Sequence, residues 1–218
     1  LDLNPGKYLL MARLARGGPA AVEASEGGDT GYAPSYYPGV TNAAQAGIIA
    51  VAAGRESGGL DLRLQRSRLF RISGQVVDLA GNPVRRASVQ IMPRDTAFFS
   101  GQSNAVTRGE EGRFEVPNVA PGAYVAVVRG MEGGKEAPPM SAYQPVDVGG
   151  HNVEGLVIPL APGVTVNGKV VVEGDGTLKL DFVRLVLQPA LLPMAGVFGN
   201  AKPDGTFTLP NVAPGRYR

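Results

Sequence analysis

Few residues of this 218-residue chain have the types and spacing that catalysis or metal binding requires. His151 is the only histidine, it follows Gly149-Gly150, and the chain has no cysteine. A metal site or a nucleophilic triad therefore cannot be completed in a usual way. We interpret His151 as a solvated turn residue and predict neither a metal nor a cofactor.

Two acidic segments and one glycine-rich stretch also suggest chemistry at first inspection. Residues 108–112 and 173–176 superficially resemble calcium loops, but they lack the run of alternating oxygen ligands that a calcium site needs. Both are typical of hairpin turns. The glycines at 130–134 do not precede a helical pattern, so they are not a phosphate loop. Because no acid, base, nucleophile and metal converge, we predict that the chain is not an enzyme.

Tyr32, Tyr36 and Tyr37 form an aromatic cluster outside any obvious strand, beside Pro34 and Pro38. Such a cluster can stack on sugar rings or contact a protein partner. The favoured interpretation is a loop that packs on its own domain. The three tyrosines are nevertheless the candidate ligand or partner contacts of this sequence.

Charge and hydropathy exclude two classes of partner. The formal net charge is +2 and the basic residues are scattered, which does not support a nucleic-acid-binding surface. The sequence has no apolar run of roughly 18 or more residues, so it contains no predicted membrane span. The absence of cysteine excludes disulfides without fixing the cellular compartment.

The elements that must position these residues are β-strands. Apolar and polar residues alternate in the segments 70–78, 88–92, 113–116 and 206–209, as a strand with one buried face requires. The 31 glycines and 18 prolines punctuate such runs, and no long helical periodicity occurs. Residues 42–54 fit a short helix, but the repeat described next limits this to at most one helical turn. We predict an all-β sandwich or barrel.

One motif occurs twice in nearly identical form, and a degenerate third copy opens the chain. The copies are Gly112-Arg-Phe-Glu-Val-Pro-Asn-Val-Ala-Pro-Gly-Ala-Tyr124, Gly205-Thr-Phe-Thr-Leu-Pro-Asn-Val-Ala-Pro-Gly-Arg-Tyr217 and Leu1-Asp-Leu-Asn-Pro-Gly-Lys-Tyr8. In the shared Pro-Gly-x-Tyr turn, proline presets φ, glycine accepts positive φ, and tyrosine opens the next strand. Repetition at a fixed spacing indicates an array of equivalent units.

Other landmarks recur with the same period, roughly 93 to 96 residues. Residues 72–77 match 166–171, and residues 59–64 match 155–160. The repeat predicts three units. They are the back half of a β-sandwich with an insertion at Tyr36-Tyr-Pro-Gly39 (the first unit, 1–67), a complete sandwich (the middle unit, 68–163) and the front half of another (the third unit, 164–218).

The order of motifs in the middle unit resembles the carboxypeptidase regulatory-like domain. The resemblance rests on Gly74-Gln-Val-Val-Asp78, Ala80-Gly-Asn-Pro-Val84, Ala87-Ser-Val-Gln-Ile91 and the motif at 112–124. It implies Greek-key, transthyretin-like β-sandwich domains in a tandem linear array. It also implies a non-catalytic, exported bacterial module, and nothing in the chain resembles the peptidase beside which such domains are named.

Two functional classes remain open at this point. The first is a structural or adhesive repeat module of a secreted or cell-surface protein or of an extracellular fibre. The second is a carbohydrate-binding accessory module attached to a larger exported protein, which rests on fold analogy and makes a glycan a candidate partner. Glycan binding that depends on Tyr36 and Tyr37 would distinguish them.

The ends of the chain bear on its partners. The Pro-Gly-x-Tyr turn is present at both ends, so the ends overlap rather than meet. We interpret the chain as a window of a longer polypeptide, whose neighbouring domains cover the two half-units. Identical subunits joined head-to-tail are the alternative. The short connections 64–68 and 159–163 predict a semi-rigid, extended array.

The alternating pattern also predicts the core of the middle unit. The residues expected to be buried are Ile72, Val76, Val89, Ile91, Phe114, Val116, Tyr124, Val127, Leu156 and Ile158.

Overall fold

The computed structural model describes residues 3–13, 23–25, 28–94, 103–131, 139–174, 178–192 and 196–218. In these ranges every regular element is a β-strand except two three-residue 3-10 helices. Neither helix is long and apolar enough to cross a membrane. The all-β class predicted from the alternating pattern is confirmed.

The first unit contains short strands and one helical turn. Its strands are β1 (Gly6–Tyr8), β2 (Met11–Ala12), β3 (Glu23–Ser25), β4 (Gly28–Tyr32), β5 (Ser35–Tyr36), β6 (Ile49–Val51) and β7 (Arg66–Arg68). They pair as β1-β6, β2-β5 and β3-β4-β7. The Asn42 side chain caps the 3-10 helix Ala43–Gln45 by accepting a hydrogen bond from Ala44 N at 2.8 Å. The predicted limit of one helical turn in 42–54 is confirmed.

The middle unit is a sandwich of two sheets. Its strands are β8 (Phe70–Val77), β9 (Ala87–Pro93), β10 (Ser103–Val106), β11 (Arg113–Val119), β12 (Gly122–Gly130), β13 (Met140–Val148), β14 (Val153–Pro159) and β15 (Ala161–Pro162). One sheet has the order β10-β9-β12-β13-β15 and the other β11-β8-β14. Strand β14 runs parallel to β8, and the remaining pairs are antiparallel.

The core of the middle unit lies between these sheets. Ile72, Val89 and Val116 are fully buried there, and Phe114 is 4% exposed. Every residue predicted for the core is buried except Leu156, which is half-buried against it. Val127 is also buried, but in a second cluster on the other face of the five-stranded sheet. The alternating pattern therefore gave the faces of β8, β9 and β11 correctly, whereas the prediction that Val127 lies between the sheets was wrong, because Val127 and Tyr124 are an odd number of residues apart in β12 and so face opposite sides of the sheet.

The repeated motif forms a bulge followed by a corner. Pairing of β11 with β8 shifts between Val116 and Val119, and Asn118 in the bulge has φ 60°. After the Pro-Gly turn, the Tyr124 hydroxyl donates a hydrogen bond to the carbonyl oxygen of Ala120 at 2.8 Å. This tyrosine corner closes the turn onto its own backbone.

The third unit repeats this geometry. Its strands are β16 (Val164–Lys169), β17 (Arg184–Leu187), β18 (Val197–Asn200) and β19 (Thr206–Val212), with a 3-10 helix at Leu180–Phe182. Strand β16 pairs with β19 across a bulge, where Asn211 has φ 58°. The Tyr217 hydroxyl donates to Ala213 O at 2.6 Å, as Tyr124 does in the middle unit.

The first unit contains the same corner. The Tyr8 hydroxyl donates to Asn4 O at 2.6 Å. In the β1-β6 pair Tyr8 lies opposite Ile49. In the β12-β13 pair Tyr124 lies opposite Val146. The same corner therefore occurs three times, and in the first and middle units its tyrosine lies in an equivalent strand pair. Both observations support the repeat inferred from sequence.

Candidate functional site

The structure does not bring the three candidate tyrosines together on one exposed face. Tyr32 lies at the end of β4 opposite Arg66 and is 38% exposed. Tyr36 lies in β5 and is 3% exposed, and Tyr37 is half-buried. The Tyr37 ring packs beside Gly47, where an added Cβ would lie 3.0 Å from Cδ1. Tyr36 and Tyr37 therefore pack largely within the first unit.

Backbone hydrogen bonds hold the loop that carries Tyr36. Its amide donates to Val40 O at 2.6 Å, and Val40 N donates back to Tyr36 O at 2.9 Å. The fully buried Ser35 hydroxyl donates to Ala33 O at 3.0 Å and accepts from Gln65 N at 3.1 Å. The loop is thus anchored to the segment that precedes β7.

A cleft of about 510 Å³ lies between this loop and the corner of the middle unit. We call it the joint cleft. One wall comes from the first unit and consists of Ala33, Pro34, Tyr36, Thr41, Asn42, Ala43 and Ser67. The other comes from the middle unit and consists of Pro93, Ala120, Pro121, Gly122, Ala123 and Tyr124. None of these residues is Lys, Arg, Asp, Glu or His, so the lining is uncharged near neutral pH.

The middle-unit wall is rigid. It is the Pro-Gly-x-Tyr corner itself, closed by the bond from the Tyr124 hydroxyl to Ala120 O. Arg94 N donates to Ala123 O at 2.9 Å and ties the same turn to the end of β9. Burial raises the pKa of Tyr124 to about 12, so its hydroxyl keeps its proton and its hydrogen bond at neutral pH.

The first-unit wall carries hydrogen-bond donors. The Asn42 oxygen is used as the helix cap, which leaves the amide NH₂ of that side chain. Within the described ranges, no residue accepts a hydrogen bond from the Asn42 amide or from the hydroxyls of Tyr36 and Thr41. Burial also raises the pKa of Tyr36, which keeps that hydroxyl a donor.

A second groove of about 840 Å³ runs beside the edge strands β10 and β11. Its lining includes the exposed Val106 and Val157 together with Arg108, Arg113 and Glu115. Arg113 pairs with Glu111 at 2.5 Å, and Arg85 pairs with Glu110 at 2.6 Å. The acidic residues of the 108–112 turn, Glu110 and Glu111, therefore pair with arginines.

The other sequence candidates lie apart from both cavities. His151 is exposed in the turn between β13 and β14. The segments 130–134 and 173–176 lie partly outside the described residues. Among the residues that the structure does describe, no three His, Cys, Asp or Glu side chains are grouped as metal ligands.

Sequence reasoning missed the joint cleft, although it identified one residue from each wall, Tyr36 and Tyr124. The repeat marks the corner as a structural feature, but the approach of the first-unit loop is a tertiary contact. The available signal was the insertion at residues 36–39, which interrupts the repeat where the loop meets the next unit.

Three solved structures share distant similarity with the chain. The Bacillus anthracis TIE protein is 13% identical over 87% of this chain and 34% of its own, with a TM-score of 0.32. A streptococcal ancillary pilin is 14% identical over 99% of this chain and 65% of its own, with a TM-score of 0.33. A 9R-lipoxygenase from Cyanothece is 14% identical over 44% of this chain and 17% of its own, with a TM-score of 0.27. These similarities do not bear on function.

No protein of curated function matches the sequence. The carboxypeptidase regulatory-like domain matches residues 71–154, which lie within the two-sheet sandwich of the middle unit. The resemblance inferred from the motifs at 74–78, 80–84, 87–91 and 112–124 is thereby confirmed, and the middle unit carries a carboxypeptidase regulatory-like domain.

Proposed function

We propose that this chain is a non-catalytic structural or adhesive repeat module of an exported bacterial protein, located at the cell surface or in an extracellular fibre. The observation that carries the proposal is the tyrosine corner, built three times with the same hydroxyl-to-carbonyl bond. Tandem units of one design form a scaffold whose length scales with repeat number. Catalysis needs convergent acid, base or metal groups instead, and neither cavity described above contains such a set.

The junction between the middle and third units supports a mechanical role. Leu192 of the third unit is 5% exposed and packs on Met92, Val125 and Val127 of the middle unit. Burial and, to a smaller extent, the neighbouring Tyr143 of the middle unit raise the pKa of Tyr217. Only Gly163 separates β15 from β16. A short connection and a buried apolar contact together limit motion between these units.

Exposed apolar residues of the third unit supply the second argument. In the third unit Val164, Val186 and Phe198 are exposed at 52%, 44% and 62%. Val186 and Phe198 are cross-strand partners, so they form one apolar patch on the β17-β18 hairpin. Exposed apolar surface and open strand edges favour pairing with further strands. We propose that neighbouring domains of the same longer polypeptide cover this surface, with identical subunits joined head-to-tail as the second version.

The alternative function is a carbohydrate-binding accessory module. Stacking on a sugar requires an exposed ring face. Tyr36 is 3% exposed, and Tyr32 is the one tyrosine of the predicted cluster with substantial exposure. The structural role is therefore the better supported of the two.

The test is to express residues 1–218 and measure molar mass by light scattering over a hundredfold range of concentration. Open-ended growth with concentration is expected if identical subunits complete each other. A monomer whose third unit exchanges amide hydrogens rapidly is expected if a longer polypeptide supplies the strands. A monomer with uniformly slow exchange in all three units would contradict both versions.

A further inference from the structure

We propose that one edge of β16 binds residues 59–64 of a second copy of this chain as a parallel β-strand. Strand β16 pairs with β19 on one edge, and no strand of the described residues pairs with its other edge. The proposal rests on the structural role proposed above and identifies the contact that joins identical subunits head-to-tail.

The middle unit shows which kind of strand belongs at this edge. Its strand β8, the equivalent of β16, lies between β11 and β14. Strand β14 runs parallel to β8, with Leu156 opposite Gly74 and Ile158 opposite Val76. Because β16 repeats β8 and β19 repeats β11, the strand that β16 lacks is an equivalent of β14.

Residues 59–64 are the equivalent of β14 in the first unit. They read Gly-Leu-Asp-Leu-Arg-Leu, and residues 155–160 of the middle unit read Gly-Leu-Val-Ile-Pro-Leu. The two opening glycines have similar positive φ, 71° at Gly59 and 67° at Gly155. Among the described residues, 59–64 form no strand, and their one backbone hydrogen bond runs from Arg63 N to Pro38 O at 3.4 Å. The segment therefore begins like β14 but has no strand partner.

The third unit exposes the residues that β14 protects in the middle unit. Val77 is 9% exposed, whereas the equivalent Val171 is 74% exposed. Val76 is fully buried, whereas the equivalent Val170 is half-buried. Leu160 N donates to Val77 O at 2.7 Å, and no described residue donates to the oxygen at 171. The edge of β16 thus offers apolar surface and an unpaired backbone acceptor, which together favour strand addition.

The register of β14 on β8, transferred to β16, pairs complementary residues. Leu62 takes the position of Ile158, which is fully buried in the middle unit. Asp61 and Lys169 become direct neighbours on the exposed face, where opposite charges attract. The complete set of pairs is Leu60–Gly168, Asp61–Lys169, Leu62–Val170 and Arg63–Val171.

Gly168 leaves room for the close approach of the added strand. A Cβ on the equivalent Gly74 would overlap the carbonyl group of Leu156, so the backbone of β14 lies where a side chain would otherwise be. At Gly168 the Phe207 ring lies in the corresponding space. Phe207 is half-buried, and its ring moves away from Gly168 when the strand binds.

The experiment measures disulfide formation between two single-cysteine copies, since the chain has no cysteine of its own. One copy carries Asp61→Cys and the other Lys169→Cys, which the proposed register places within the reach of a disulfide. The control replaces the second copy with Thr165→Cys, on the same face of β16 but about 13 Å away. We expect the 61–169 disulfide, identified by mass spectrometry, to form about tenfold faster than the 61–165 disulfide. Equal rates, or no disulfide of either kind, would overturn the proposal.

A charge reversal tests the same pair without cysteine. Both Asp61 and Lys169 are exposed, so their substitution leaves the fold of each unit intact. Lys169→Asp should weaken self-association by about two- to fivefold in light scattering. A chain that carries both Asp61→Lys and Lys169→Asp should recover the wild-type affinity. A double variant no stronger than Lys169→Asp would contradict the register.

An apolar substitution tests the buried position. Leu62→Asp should weaken self-association by about ten- to a hundredfold, because the proposed contact buries this side chain. Leu79→Asp is the matched control, since Leu79 is 71% exposed in the turn after β8, and it should leave the affinity unchanged. Equal affinity of these two variants would overturn the proposal.

Failure of this proposal is distinguishable from failure of the structural role. A monomer that forms no 61–169 disulfide but exchanges amide hydrogens rapidly in the third unit would exclude a second copy as the occupant. The repeat would then remain a scaffold whose missing strand comes from a neighbouring domain of the same polypeptide. A monomer with uniformly slow exchange would contradict both proposals.

Discussion

The middle and third units carry the same motif but do not bury all of their equivalent residues to the same extent. Phe114 is 4% exposed, whereas the equivalent Phe207 is half-buried. Ile72 is fully buried, whereas the equivalent Val166 is half-buried. The backbone of the two motifs is nevertheless the same, with a bulge, an asparagine at positive φ and a tyrosine corner.

The difference lies in the neighbouring strands. In the middle unit β8 is paired on both edges, by β11 and β14, and its apolar face is covered by the five-stranded sheet. In the described part of the third unit, β16 pairs with β19 and β17 with β18. The comparison shows that a local motif sets the strands and the corner, while burial is set by elements distant in sequence.

The largest expected effect is the loss of the core phenylalanine. Phe114→Ala should reduce the free energy of unfolding of the middle unit by about 3–5 kcal/mol, because it leaves a cavity between two sheets. Phe207→Ala should cost less than half of that in the third unit, because the ring is already partly solvated. Denaturant unfolding of both variants measures the difference, and equal losses would show that the two sites are equivalent.

A pair of glycines tests the role of β14. A Cβ on Gly74 would overlap the carbonyl group of Leu156 in β14, so Gly74→Ala must displace a backbone. At the equivalent Gly168 the overlap is with the Phe207 ring, a side chain that can shift. We expect Gly74→Ala to cost about 2–3 kcal/mol and Gly168→Ala less, by the same unfolding measurement. The reverse order would contradict the pairing of β14 with β8.

Substitution of the bulge asparagines should change the free energy of unfolding by the same amount in the middle and third units. Asn118 and Asn211 have φ of 60° and 58°, and this left-handed conformation disfavours β-branched residues in either context. Asn118→Val and Asn211→Val should each cost about 1–2 kcal/mol, whereas Asn→Gly at either position should be nearly neutral. If the two valine substitutions reduced the free energy of unfolding by different amounts, the bulge would depend on tertiary packing.

The smallest expected effect concerns the corner hydroxyl. Tyr124→Phe removes the bond to Ala120 O and should cost about 1 kcal/mol at pH 7. Burial raises the folded-state pKa of Tyr124 to about 12, above the value near 10 of the unfolded chain. Its stabilisation is therefore complete below about pH 10 and is lost as the pH rises through about 12.

Thermal unfolding between pH 8 and pH 12 checks this pH dependence. The wild-type chain should lose more stability above pH 10 than Tyr124→Phe does, because the variant cannot ionise at this position. Parallel curves for the two proteins would show that the Tyr124 hydroxyl does not contribute to the pH dependence.

Much of the middle unit was predictable because its sequence signals are local. Alternation placed Phe114 and Val116 on the buried face, and the Pro-Gly-x-Tyr turn marked the corner. Leu156 was assigned to the core but is half-buried. The shift in pairing between Val153 and Leu156 interrupts the regular register of β14, an irregularity that period-two counting does not detect.

The candidate site was less predictable because it depends on contacts between distant segments. The tyrosine cluster suggested one exposed surface, yet Tyr36 is buried where Ser35 joins the backbone of Gln65. The joint cleft lies between the insertion loop, which contains Tyr36, and the corner of the middle unit, which contains Tyr124. These two segments are far apart in the sequence. No pattern within either segment indicates that the two segments face each other.

Hydrogen exchange by mass spectrometry on the 218-residue chain tests the account most directly, since it compares the units in one sample. We predict slow exchange in β8, β9 and β12, rapid exchange in β17 and β18, and no cooperative unit that includes both groups. Exchange that is equally slow in the middle and third units, with a single cooperative transition, would contradict the claim that the middle unit is the one completed sandwich of the described chain.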